Sequence, residues 1–193
     1  MSNTEPQSRE EILAAFDDLR QRGLTFWTDF EPKQFAAPIG EAWSPADNVR
    51  HLIKSTFPVT KALKLPGLVL RTLFGPAKDS SSSYTELVAR YKALLAAGGN
   101  AGKFAPRTVP VPDDLVTWQR KLVSVCNDSL SDLRRAAERW SDKDLDRYRL
   151  PHPLLGKITL REMLLFTLYH YSHHKENVIK RMKNIQGASA PEA

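Results

Sequence analysis

An all-α fold is predicted for this sequence: four long helices in a bundle, with a helical insertion between the second and the third. Three observations predict it. Apolar residues recur at three- and four-residue spacing over four long stretches. Capping patterns open three of these stretches, at Ser8, Ser44 and Thr159; in each a hydroxyl takes an orphan N–H and an acidic side chain three residues on reaches back. No stretch carries a strand signal worth naming. At 193 residues, about 150 per domain being usual, the chain reads as one domain: a flexible lead over 1–7, a bundle over 8–185 and a flexible tail over 186–193.

The first helix starts at Ser8-Arg9-Glu10-Glu11 and buries a face made of Ile12, Phe16, Leu19, Phe26 and Phe30, until Pro32 and Pro38 break it. The second opens at Ser44-Pro45-Ala46-Asp47, with proline at the first helical position, where its missing N–H does no harm. It is expected to run to about Leu63, with Pro58 as a place to kink. The insertion, about 65–110, holds a short apolar piece (Leu68–Phe74), a Ser-rich turn (Asp79–Ser83) and a helix from Ser83-Tyr84-Thr85-Glu86 to Gly98-Gly99. The third long helix follows Pro112-Asp113-Asp114, acidic residues where the helix dipole favours them. Its stripe reads Leu115, Trp118, Leu122, Val125, Ser129, Leu133, Ala136 and Trp140. A loop with Pro151, Pro153 and Gly156 leads to the fourth, which runs from Thr159 to about Ile185.

Composition excludes several classes. Hydrophobic residues at 41% and charged residues at 26% describe an ordinary globular chain, neither disordered nor collagen-like. A single cysteine, Cys126, excludes an internal disulfide framework or a cysteine-rich zinc module, and reads as a buried inert thiol. No apolar run approaches the roughly 20 residues a bilayer requires. The polar start MSNTEPQSREE is not that of a signal peptide, so a cytoplasmic location is expected. The net charge is +6; taken as spread along the chain, it argues only weakly for nucleic acid.

Chemistry concentrates in the histidines. Residues four apart on a helix are offset by about 40° and lie one above the other, so His170 and His174 can grip one ion. The inward stripe of their helix, Leu160, Met163, Thr167, His170, His174 and Asn177, turns polar where the histidines begin. His51 sits inside the second helix with Asn48 and Ser55 on its face. A bundle core tolerates polar groups only when they are satisfied. Two readings are open on this ground: core histidines hydrogen-bonded to neighbours, or three imidazoles on one side of a metal with positions left for water or substrate.

Three runs resemble a known family. They are Trp43-Ser44-Pro45-Ala46-Asp47-Asn48-Val49-Arg50-His51-Leu52, then His152-Pro153-Leu154-Leu155-Gly156-Lys157-Ile158-Thr159, then His170-x3-His174 followed by Asn177. In this order and separation, over roughly residues 8–185, they are similar to the DinB/YfiT-like metalloprotein family. The resemblance implies a four-helix bundle whose metal ligands are His51, His170 and His174. The ion would be zinc, nickel, cobalt or ferrous iron. Several members are thiol transferases or thiol-dependent isomerases, so the resemblance also implies a metal-dependent enzyme, a transferase or hydrolase, with a low-molecular-weight thiol as a further cofactor. The alternative is a non-catalytic, stress-related metal-binding bundle. His173 and His152 are candidate proton carriers, and Asn48 and Asn177 candidate neighbours of the ligands. The expected partners are a small-molecule substrate and a second copy in a homodimer, with no nucleic acid and no membrane.

Overall fold

Residues 5–77 and 80–188 are described by the computed structural model. The chain runs through α1 (Arg9–Thr28), α2 (Pro32–Ala36), α3 (Pro45–Leu63), α4 (Gly67–Phe74), α5 (Tyr84–Ala96), a 3-10 turn (Gly102–Phe104), α6 (Leu115–Ala137), α7 (Asp142–Arg147), strands β1 (Arg149–His152) and β2 (Gly156–Thr159), and α8 (Leu160–Ala188). The three expected capping boxes are present. The hydroxyls of Ser8, Ser44 and Thr159 accept from the N–H groups of Glu11, Asp47 and Glu162, and each carboxylate returns the bond. Ser83 and Glu86 form a fourth at the head of α5.

The long helices are α1, α3, α6 and α8. α6 packs on α1 and α3, and α8 packs on the same two, closing a four-helix ring. Its core is built from Ile12 and Phe16 of α1, Val49 and Leu52 of α3, Leu130 and Leu133 of α6, and Leu164 of α8. At about 25 cal/mol per Å² of apolar surface buried, each such side chain contributes roughly 1.5–3 kcal/mol before entropy is counted. Pro58 lies on the exposed side of α3, and the helix runs on to Leu63; water can take the place of the hydrogen bond that proline removes.

Four expectations are corrected. A hairpin exists where only a loop was expected: β1 and β2 pair antiparallel, Arg149 opposite Thr159 and His152 opposite Gly156. Gly156 sits at φ +74°, a left-handed value that costs glycine nothing, which accounts for the glycine in the run before α8. The short helices α2 and α7 were not foreseen. The buried stripe in the first part of α6 is one residue out of phase with the expected one: Gln119, Val123, Cys126 and Leu130 are buried, while Val125 is 43% exposed and Trp118 and Leu122 are half-buried; Leu133, Ala136 and, just past the helix, Trp140 are buried as expected. A one-residue shift turns a helix by about 100°, and both phases are apolar enough to serve. Finally, α8 continues to Ala188, so the expected tail begins as helix; residues 189–193 lie outside the described residues, as do residues 1–4 of the expected lead and Lys78 and Asp79 near the Ser-rich turn.

The insertion has a definite place. α5 packs on α8, with Tyr91 against Phe166 and Tyr169. Every residue from Glu162 to Tyr171 is buried in consequence. Gly67 lets α4 approach the hairpin closely: a Cβ there would lie 2.5 Å from the Tyr148 ring.

Candidate metal centre

α3 and α8 pack side by side, which brings His51, in the second turn of one, against His170 and His174 on the other. All three are buried, and their ligand atoms lie within 4.8 Å of one another. His51 Nε2 is 3.0 Å from His170 Nε2, and His174 Nε2 is 3.1 Å from the same atom. Three Nε2 atoms thus face a common point.

The opposite side of two rings determines what those atoms present. His51 Nδ1 donates to the Phe104 carbonyl at 2.9 Å. His174 Nδ1 donates to Asn48 Oδ1 at 2.7 Å. The Asn48 amide is oriented by its own Nδ2, which donates to the Ser44 carbonyl at 2.9 Å. With their protons on Nδ1, both neutral rings turn an Nε2 lone pair inward. His170 has at most one Nε2–H to donate, so in any neutral state one N···N pair at 3.0–3.1 Å is two lone pairs facing each other. Protonation does not relieve this. Burial first, then mutual repulsion with His174 and His51, hold His170 well below the usual imidazole range. Burial and the neighbouring histidines lower His174 likewise. His51 is lowered by burial, against the opposing pull of its Phe104 bond. A divalent cation satisfies all three lone pairs without a proton, so the residues present fit a metal.

Other side chains hold these rings in place. Trp43 lies parallel to His174 (3° between planes, 6.1 Å between centroids) and tilts on His51 at 5.2 Å. Phe166 stacks on His170 at 5.1 Å and meets His152 at 4.3 Å. His174 lines a cleft of about 500 Å³ together with Glu41, Ala42, Trp43, Asn48, Asn177, Val178 and Arg181. Among the described residues no fourth His, Cys, Asp or Glu joins the cluster.

A profile of the DinB superfamily matches residues 35–178. The chain belongs to the DinB superfamily. The match spans all three histidines, and the fold agrees with it. The four-helix bundle protein TT2238 superposes with a TM-score of 0.54 at 13% identity, over 90% of this chain and 99% of that one. The colibactin self-resistance protein ClbS, solved in complex with double-stranded DNA, gives 0.48 at 17% identity, over 97% and 100%. No curated protein matches. The expectation of no nucleic-acid partner is withdrawn, because the neighbour ClbS is described in complex with double-stranded DNA; a likeness at that level transfers no partner to this DinB chain. Among the described residues no helix is long and apolar enough to cross a membrane.

The structure assembles His51, His170 and His174 as the resemblance implied, and puts Asn48 on His174. The other candidates lie around this centre. Asn177 lines the cleft and donates to His173 Nε2 at 2.9 Å, while His173 Nδ1 lies 3.3 Å from the Tyr169 hydroxyl. His152 Nδ1 accepts from the N–H groups of Leu154 and Leu155 and so caps the hairpin turn. Burial, helped by Arg90, pushes it down to about 4. Cys126 is buried, 3.8 Å from the Tyr171 hydroxyl, and burial pushes its thiol up to about 12. Sequence reasoning missed the Phe104 carbonyl, which no side-chain signal could reveal, and missed Trp43, Glu41 and Arg181. Trp43 was within reach, because it opens the run that ends at His51.

Proposed function

We propose that this chain is a divalent-metal-dependent enzyme that acts on a small molecule held in the cleft beside His174. The observation that carries the reading is the pair of inward lone pairs on His51 and His174, locked by Phe104 and Asn48 and met by His170. Three protein ligands, with no fourth among the described residues, favour an open sphere over a closed structural one. A metal held there would lower the pKa of a bound thiol or water and supply a nucleophile at neutral pH. Neutral imidazoles suit that task, since ligands already free of protons need not release them on binding.

The chain's own groups do the rest. Trp43 offers a flat apolar wall and Arg181 a cation for an anionic substrate group, while Glu41 and Asn177 line the same cleft. Of the two candidate proton carriers, His173 is the better placed: it is bonded to Asn177 at the cleft, whereas the Nδ1 of His152 is committed to the turn. A low-molecular-weight thiol remains the favoured co-substrate on the family resemblance.

The test is metal content of untagged protein, followed by turnover of a chromogenic electrophile with cysteine, glutathione or coenzyme A as thiol. The reading expects one ion per chain and a metal-dependent rate abolished by chelation. Arg181→Ala should raise KM for an anionic thiol by about tenfold, the scale of one exposed charge-assisted contact, at unchanged metal affinity. A stoichiometric ion without turnover of any thiol or hydrolysable ester would favour the alternative, a non-catalytic metal-binding protein.

A further inference from the structure

The positive charge of this chain is not evenly spread, contrary to the first reading. Residues 48–78 contain Arg50, Lys54, Lys61, Lys64, Arg71 and Lys78 and no Asp or Glu. Six cations without an acid equal the whole net charge of +6. The same segment holds α4, whose sides differ sharply. Leu70 is fully buried and Gly67 faces Tyr148. On the outer side Leu68 is 73% exposed, Leu73 59% and Val69 37%, and Leu65 just before the helix is 36% exposed. Nearby on α3, Phe57 is 58% exposed, with the Lys61 ammonium over its ring at 4.6 Å.

Further cations gather at the ends of α4. Arg139 donates to the Lys64 carbonyl at 2.9 Å, and Arg149 and Lys157 both donate to the Phe74 carbonyl, at 3.2 and 3.0 Å. Among the described residues none of Lys61, Lys64, Arg71, Arg139, Arg149 and Lys157 forms an ion pair. The carboxylates of the adjoining segment are engaged: Glu138 with Arg134, Asp142 and Asp146 with Arg161, and Asp144 with the Ser141 hydroxyl. Arg9, Arg20, Arg22, Arg50, Arg90, Arg134, Arg135 and Arg161 are paired with acids; the cations around α4 are not, and they fringe the most exposed leucine of the chain.

We infer that α4 and its cationic fringe form a docking face for an anionic lipid bilayer surface. Leucines lying in the interface gain apolar burial, while lysine and arginine stems reach lipid phosphates from the same side. Charge complementarity alone would also admit a duplex nucleic acid, but a phosphate backbone offers nothing to Leu68, Val69 and Leu73, whereas a bilayer interface satisfies both halves of the face. The eight-residue α4 is too short to span, so attachment is peripheral and reversible. The face is independent of the metal reading.

The test is cosedimentation of the full chain with vesicles of equimolar phosphatidylglycerol and phosphatidylcholine, against phosphatidylcholine alone. Binding to the mixed vesicles only, weakened by salt, is expected. Leu68→Ser with Leu73→Ser, and separately Lys61→Glu with Lys64→Glu and Arg71→Glu, should each lower partitioning at least about tenfold. All five positions are exposed, so unchanged circular dichroism is expected in both variants. Equal binding to neutral vesicles would overturn the inference. So would absence of binding to the mixed vesicles; duplex DNA binding that survives the leucine changes would then assign the face to nucleic acid, and self-association that those changes abolish would assign it to a second copy.

Discussion

Replacing Asn48 by alanine removes the group that sets the tautomer of His174 without touching a ligand. Asn48 is 6% exposed, and its Oδ1 accepts the His174 Nδ1–H at 2.7 Å. Two costs follow. The buried Nδ1–H loses its acceptor, worth about 1–3 kcal/mol of stability in the metal-free protein. The Ser44 carbonyl is not orphaned, because the Asn48 backbone N–H also donates to it, at 3.1 Å. The second cost falls on the ion. Unlocked, the imidazole can carry its proton on Nε2, where it competes with a metal. Loss of such a support typically costs about 10–100-fold in affinity, or roughly 1.4–2.7 kcal/mol. Asn48→Asp keeps the acceptor and adds charge, so it should bind the ion at least as tightly. The assay is competition for zinc against a chromophoric chelator, with urea unfolding of the metal-free proteins alongside. An alanine variant that folds and binds zinc within about twofold of the parent, well short of the usual loss, would refute the argument that Asn48 presents the His174 lone pair to a metal.

Three further outcomes are expected. His174→Ala should lose at least about 100-fold in metal affinity while its helical circular dichroism persists, since the four amphipathic helices fold by apolar burial; a largely unfolded variant would make the metal structural. Acid should weaken the fold through His152: its folded pKa of about 4 lies below the ordinary 6.5, so its contribution is complete above 6.5 and lost as pH falls toward 4, at up to about 1.4 kcal/mol per unit and less after solvent screening. His152→Asn, which keeps an acceptor for Leu154 and Leu155 but cannot titrate, should flatten that slope in urea melts taken across the window. Gly67→Ala should destabilise by about 1–3 kcal/mol, read as a lower urea midpoint, because its Cβ would meet the Tyr148 ring at 2.5 Å.

What the sequence determined was local. The hydroxyl–acid pairs at Ser8, Ser44, Ser83 and Thr159 satisfy orphan N–H groups within one turn, so four helix starts could be read without any partner in view. The spacing of His170 and His174 is likewise a property of one helix. Tertiary structure decided whatever depends on a neighbour. Both phases of the α6 stripe are apolar, and only packing against α1 and α3 selects Val123 and Cys126 over Leu122 and Val125. The two strands of four residues each are paired through backbone groups, whose hydrogen bonding no side-chain period announces. His152 reads as a titratable group in the sequence, yet the hairpin turn claims its Nδ1. The meeting of His51 with His170, 119 residues further along the chain, follows from the side-by-side packing of α3 and α8. Its lock, the Phe104 carbonyl, comes from a backbone atom of the insertion. Every residue carries such a carbonyl, so its chemistry is invisible in a sequence and exists only where the fold delivers it.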